Sequence, residues 1–272
     1  MLRLHVFNTG WVSRRERELY VGGGSAVRTL PVLSFVIAHP RGLLVFDTGL
    51  NAAFATHPWR YTGALGLLLG RFRSSPGLNL AAQMRANGLP PEEVTHVLVS
   101  HLHYDHSGDL RAFPRAQLLV TREEWQAVQS PFPRWRGYLA TEYSGLAFTL
   151  LDFPPYDGET SQRALSGGDY GLDILDDGAL ILVPTFGHTH GHQSLLVFLP
   201  HGVVLLAGDA AYVREGYNAP AAQPHAQAPD SAWRSIVGLR ALARGDPQAI
   251  IVPAHDDSML RGLDRPDIVL AG

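Results

Sequence analysis

The chain has no cysteine among its 272 residues. Disulfides, thiolate nucleophiles and cysteine-ligated metals are therefore excluded. It has no lysine either: all 22 basic residues are arginine. No dense basic cluster accompanies them, and the formal net charge is -3, so no nucleic-acid partner is expected. The run Arg14-Arg15-Glu16-Arg17-Glu18 mixes both signs and reads as a solvated face or turn. Long apolar runs are missing too. Ala64 to Leu69 is far too short to cross a bilayer, and Met1 to Phe7 is too short for a signal peptide. A cytoplasmic protein without a membrane partner is expected.

What remains is ample apolar material. Hydrophobic residues make up 46% of the chain, enough for a sizeable packed core. No repeat or low-complexity linker divides it, so residues 1–272 read as one domain. Strand-like runs fall at Leu2 to Phe7, Val32 to Ala38, Leu43 to Phe46, Val94 to Val99 and Gln117 to Val120. Others follow at Leu180 to Pro184, Ser194 to Phe198, Val203 to Leu206 and Ile250 to Val252. Helical patterns lie between them, at Asn79 to Asn87, Arg122 to Gln129 and Ala232 to Ala243. Asp230 or Ser231 is expected to cap the last, with Gly245 and Pro247 ending it. Strands with helices interspersed in both halves predict an α/β fold of two facing sheets with helices outside, a four-layer αββα sandwich.

Two stretches read as loops covering something. Residues 51–78 carry Phe54, Trp59, Tyr61, Leu67 to Leu69 and Phe72. Residues 131–156 carry Phe132, Trp135, Tyr138, Tyr143, Phe148, Phe153 and Tyr156 among prolines. Aromatic-rich loops serve as binding walls or lids, and equally as satellite core or a dimer seam.

The chemistry is concentrated in Ser100-His101-Leu102-His103-Tyr104-Asp105-His106-Ser107-Gly108, directly after the apolar run Val97 to Val99. Imidazole and carboxylate are the ligand types that divalent zinc, manganese or iron prefer. On a strand, His101 and His103 would share a face. A turn beyond it lets Asp105 and His106 address a second point, so one segment can serve two ions. Four more clusters each follow an apolar run: Asp47-Thr48-Gly49, Gly187-His188-Thr189-His190-Gly191-His192, Gly208-Asp209-Ala210 and Ala254-His255-Asp256. Strand ends that present His and Asp from several parts of a chain are how a sandwich builds a dinuclear site at one rim.

In this order the motifs resemble the metallo-β-lactamase superfamily, across about residues 30 to 257. Within it the chain is most similar to the quorum-quenching N-acyl homoserine lactone lactonases. The likeness rests on residues 100–108, on residues 187–194 and on Tyr212 three positions after Asp209. The resemblance implies one divalent ion on His101, His103 and His188, and a second on Asp105, His106 and His255, with Asp209 bridging. Zinc is the expected metal; iron, manganese and cobalt suit the same ligands. The resemblance gives Asp47 and His192 supporting roles and none to His190. It implies a hydrolase that opens a small-molecule lactone with a metal-bridging hydroxide. Tyr212 would stabilise the oxyanion and Asp105 would carry a proton to the departing alkoxide. A homodimer is suggested by the resemblance alone.

Other readings stay open at this point: a thioesterase of the glyoxalase II type, a hydrolase of other lactones or organophosphate esters, or a mononuclear iron oxygenase. His39, His57, His96, His201 and His225 have no motif around them and read as surface or hydrogen-bonded core.

Overall fold

The structure is a computed structural model, and it describes residues 1–57, 61, 71–154, 171–260 and 266–270. Two sheets face each other. The first holds β1 (Arg3–Arg15), β2 (Val27–His39), β3 (Gly42–Phe46), β4 (Arg71–Arg73), β5 (Val94–Leu98), β6 (Gln117–Thr121) and β7 (Phe148–Leu151). The edge strand β13 (Ile268–Leu270) completes it, in the order β13-β1-β2-β3-β5-β6-β7 with β4 paired to β1. The second sheet runs β12-β11-β10-β9-β8. Its strands are β8 (Leu172–Asp173), β9 (Leu180–Pro184), β10 (Gln193–Leu199), β11 (Gly202–Gly208) and β12 (Ile250–Pro253).

Alternation along the strands builds three apolar layers. Leu33, Phe35 and Ile37 of β2 meet Leu195, Val197 and Leu206 of the second sheet in the central core. The opposite faces are apolar as well, which is why these strands read as unbroken Val/Ile/Leu runs. Val36, Val45 and Val97 pack outward against α3 (Leu80–Ala86) and α4 (Arg122–Val128). Val183, Leu196 and Leu205 pack outward against α7 (Pro229–Gly245). Short helices among the described residues are α1 (Glu16–Leu19), α2 (Ala53–Thr56), α5 (Ala140–Tyr143) and α6 (Arg214–Asn218). The layers are helix, sheet, sheet, helix, as the sequence predicts. No helix among the described residues is long and apolar enough to cross a membrane.

Three expectations need correction. The segment 131–156 is not one loop. It holds α5 and β7, and Tyr138 and Tyr143 are buried in the outer core of the first sheet, leaving Phe132 and Trp135 exposed. α7 starts at Pro229, with Ala228 before it and no side-chain cap, so neither Asp230 nor Ser231 caps the helix. Proline at the first helical position lacks the N–H that would go unpaired there, and its fixed φ suits a helix start. β1 runs on to Arg15 through a bulge between Asn8 and Trp11, so the run that starts at Arg14 begins as strand and not as a turn, while Arg15 and Arg17 are exposed as a solvated face requires.

Strand direction places the functional rim. β3 and β5 are parallel in one sheet, β11 and β12 in the other, and β9 shares their direction through antiparallel β10. All five therefore end at the same edge. Two glycines let the loops there close up. A Cβ on Gly108 would lie 2.3 Å from the Asn51 amide nitrogen, and one on Gly187 would lie 2.1 Å from that of Ala232.

Beneath this edge Glu142 is buried, with Asn51 Nδ2 3.5 Å from its Oε2. Burial pushes its carboxyl up to about 9, and Asn51 offsets this only in part. A carboxyl raised in the fold stabilises it fully below the unfolded value and loses that contribution as pH climbs to the folded one. Stability should therefore fall between about pH 5 and about pH 9, and Glu142→Gln should flatten that fall. Urea midpoints across the range check this; equal pH slopes in the two proteins would contradict it.

Candidate metal centre

The loop 99–108 leaves β5 after Leu98, so His101 and His103 stand beyond the strand and do not share one of its faces by pleat. Hydrogen bonds aim them instead. Asp47, at the end of β3 with φ of 58°, accepts from Ser100 N at 2.7 Å, Ser100 Oγ at 2.7 Å and His106 Nδ1 at 2.8 Å. Left-handed backbone is uncommon outside glycine, and aspartate is among the residues that tolerate it. Thr48 N donates to the His106 carbonyl at 2.7 Å and Gly108 N to Gly49 O at 2.9 Å. The Asp-Thr-Gly turn thus clamps the histidine loop from below.

Two ligand sets result. His101 Nε2 lies 2.9 Å from His103 Nδ1, and His188 Nε2 lies 3.1 Å from each of them. Ligand atoms about 2.0–2.1 Å from a tetrahedral zinc lie roughly 3.3–3.4 Å apart, so this triangle is close to the required size. In the second set, His106 Nε2 and His255 Nε2 lie 3.9 and 3.7 Å from Asp105 Oδ2. Asp209 stands between the sets. Its Oδ2 is 3.3 Å from His188 Nε2, and its Oδ1 is 3.4 Å from His255 Nε2 and 3.5 Å from His106 Nε2.

The residues fit two cations. His255 Nδ1 donates to the Pro31 carbonyl at 2.8 Å, and His106 Nδ1 donates to Asp47. In each ring the opposite Nε2 is thereby left facing the centre. Burial lowers His101 and His188 well below the ordinary imidazole range and His103 to about 4, so these rings are neutral and offer lone pairs. For His106 and His255 burial also lowers the pKa, but Asp209 and the neighbouring carboxylates outweigh it and raise both. Burial would raise Asp209; His106, His255 and His188 hold it well below the ordinary range instead. Buried lone pairs around carboxylates are a cation site by chemistry.

His192 takes no place in either set. Its Nε2 accepts the Asp209 amide at 2.9 Å and its Nδ1 donates to the Thr185 carbonyl at 3.1 Å, so it holds the backbone of Asp209. His190 is exposed. Away from the centre, His39 pairs with Asp177, His201 with Asp267, and His96 with the Thr95 hydroxyl.

Some functional neighbours carried no signal in the sequence. Gln223, in an Ala-Ala-Gln-Pro stretch, lies 2.9 Å from His188 Nδ1 and donates to the Asp209 carbonyl at 2.8 Å. Gly137 lies against His103, where a Cβ would come within 2.9 Å of the ring.

A cavity of about 560 Å³ opens over both sets. Asp105, His188, Asp209 and His255 line it together with Tyr212, Phe72 and Trp135. Tyr212 Oη lies 3.3 Å from His188 Nδ1, and burial with the nearby Asp209 keeps its phenol well above the ordinary range. Arg14 enters the wall through the extension of β1, its guanidinium 5.3 Å from the centre of the Phe72 ring. Phe54, Tyr61, Phe72 and Tyr104 stack into one aromatic cluster beside it. His225 also lines the cavity, and His57 is exposed. Trp59, Leu67 to Leu69 and Tyr156 lie outside the described residues.

The whole chain is similar to proteins already known. The N-acyl homoserine lactonase AttM of Azorhizobium caulinodans is 32% identical over 263 residues, covering 94% of this chain and 93% of the relative. An N-acyl homoserine lactone hydrolase solved with N-hexanoyl-L-homoserine at its catalytic metal centre superposes with a TM-score of 0.77, at 20% identity and 95% coverage of each chain. AidC, a dizinc quorum-quenching lactonase, superposes with a TM-score of 0.62 at 15% identity, covering 94% of this chain and 88% of its own. The family model of the metallo-beta-lactamase superfamily matches residues 27–255, and the chain belongs to that superfamily.

Proposed function

We propose that this chain is a dinuclear metal-dependent hydrolase that opens the ring of N-acyl homoserine lactones. The observation that carries the reading is the convergence of His101, His103 and His188 and of Asp105, His106 and His255 on either side of Asp209, at the floor of a cavity whose walls mix apolar and charged side chains. The AttM relative, and the homoserine product in a neighbour of the same fold, supply the substrate class. We assign one divalent ion to His101, His103 and His188 and another to Asp105, His106 and His255, with Asp209 shared. Zinc is the first choice, since a neighbour of this fold is a dizinc enzyme. The central core that both sheets build supports treating the chain as one hydrolase domain.

Two divalent ions held there would supply hydroxide at neutral pH, by lowering the pKa of bound water towards about 7, and Lewis acidity for a carbonyl oxygen. The chain's own groups do the rest. Tyr212, whose phenol is held above the ordinary range by burial and the nearby Asp209, is the hydroxyl we assign as a donor. Its hydroxyl faces the cavity and is placed to donate to the carbonyl oxygen as charge develops there. Asp105 lines the same cavity and is the carboxyl we assign to carry a proton to the departing ring alkoxide. Phe72 and Trp135 offer the acyl chain apolar surface in the cavity wall.

Metal-loaded protein should open short- and long-chain N-acyl homoserine lactones, read as acid release, and lose this activity on chelation. No opening by protein shown to hold two metals per chain would remove the lactone and leave the metal centre. Tyr212→Phe should lower kcat by about a hundredfold or more with metal content unchanged, the scale of one lost oxyanion donor. Full turnover in that variant would remove Tyr212 from the reaction.

A further inference from the structure

α4 begins Thr121-Arg122-Glu123-Glu124, the pattern of a capping box in which the glutamate returns to the amide of the capping residue. Thr121 does its part, accepting the Glu124 amide at 3.2 Å. The Glu124 carboxyl is turned elsewhere. Its Oε1 accepts from Leu102 N at 2.9 Å, and Leu102 is the residue between His101 and His103.

The other groups that face this carboxyl belong to the same half of the site. They are the side chains of Thr189 and Tyr138 and the backbone of Gly191, although among the described residues Leu102 N is the one group that donates to the carboxyl with hydrogen-bond geometry. Thr189 follows His188 directly. Tyr138 pairs with His103 in an isolated bridge, their rings 4.9 Å apart. The loop 187–191 is seated on the start of α4: Thr121 Oγ1 donates to the Gly191 carbonyl at 2.6 Å, and a Cβ on Gly191 would lie 2.1 Å from Glu124 N. Glu124 is wholly buried. Burial raises its pKa, and burying a carboxyl is a cost that helix capping alone does not require. The second set is anchored by other groups, His106 by Asp47 and His255 by the Pro31 carbonyl.

We propose that Glu124 is a positioning residue that holds the 101–103 loop and the 188–191 loop at the separation where their three ring nitrogens meet. Its loss weakens the cation on His101, His103 and His188 and spares the one on Asp105, His106 and His255. The inference rests on the two-cation reading above.

Cobalt(II) titration of metal-free protein, followed by visible absorption, together with zinc competition against a chromophoric chelator, tests it. His188→Ala serves to identify the spectrum of the first set. The parent should take up two equivalents. Glu124→Ala should keep one at parental affinity and bind the other roughly 10- to 100-fold more weakly, the usual cost of losing a group that orients a ligand. The weakened component should be the one that His188→Ala removes. Glu124→Gln, whose amide oxygen can still accept from Leu102, should fall between parent and alanine, and it carries the test should the alanine variant not fold. Both cations retained at parental affinity, or both weakened alike, would overturn the role of Glu124 and leave the centre standing. Fewer than two equivalents in the parent would overturn the two-cation reading, and this inference with it.

Discussion

Seven imidazole and carboxylate side chains converge on one small volume, and this convergence is the constraint on which the rest of the structure depends. Three ring nitrogens lie within 3.1 Å of one another, and Asp105 and Asp209 stand beside the others. Such a cluster resists assembly, because buried polar atoms without partners cost several kcal/mol. It is held by hydrogen bonds on the far side of the rings. Ser100, Asp47 and Pro31 engage the outer nitrogens of His101, His106 and His255, and His192 fixes the backbone of Asp209.

The sandwich makes this economical. Five strands that share a direction end at one rim, so each loop need travel only a few residues to deliver its ligand. Sheets packed face to face and covered by helices are rigid, and a rigid frame keeps ligand positions from relaxing apart. The long β1–β2 hairpin then rises past the rim and supplies a wall. That wall is why Arg14, unremarkable in sequence, lies beside Phe72 at the cavity.

The layers were legible because strands buried on both faces write continuous apolar runs, as in Ile181 to Val183 and Val203 to Leu206. The candidate ligands were legible because the His- and Asp-bearing clusters lie just beyond such runs. What escaped was support that arrives from afar with no pattern of its own. Gln223 reaches His188 from an unpatterned loop, and Glu124 passes for an ordinary helix-start residue although its carboxyl leaves the helix. The reading of 131–156 as one loop failed for a related reason. Its prolines and aromatics mask β7, a short edge strand whose identity depends on pairing with β6.

The central claim is that one aspartate divides two cation positions. The most direct test is a crystal structure of the metal-loaded protein, with anomalous scattering collected at the metal edge. Two anomalous peaks are expected, one among His101, His103 and His188 and one among Asp105, His106 and His255, with one oxygen of Asp209 directed to each. A single peak in fully loaded protein, or two peaks with Asp209 turned away from both, would contradict this.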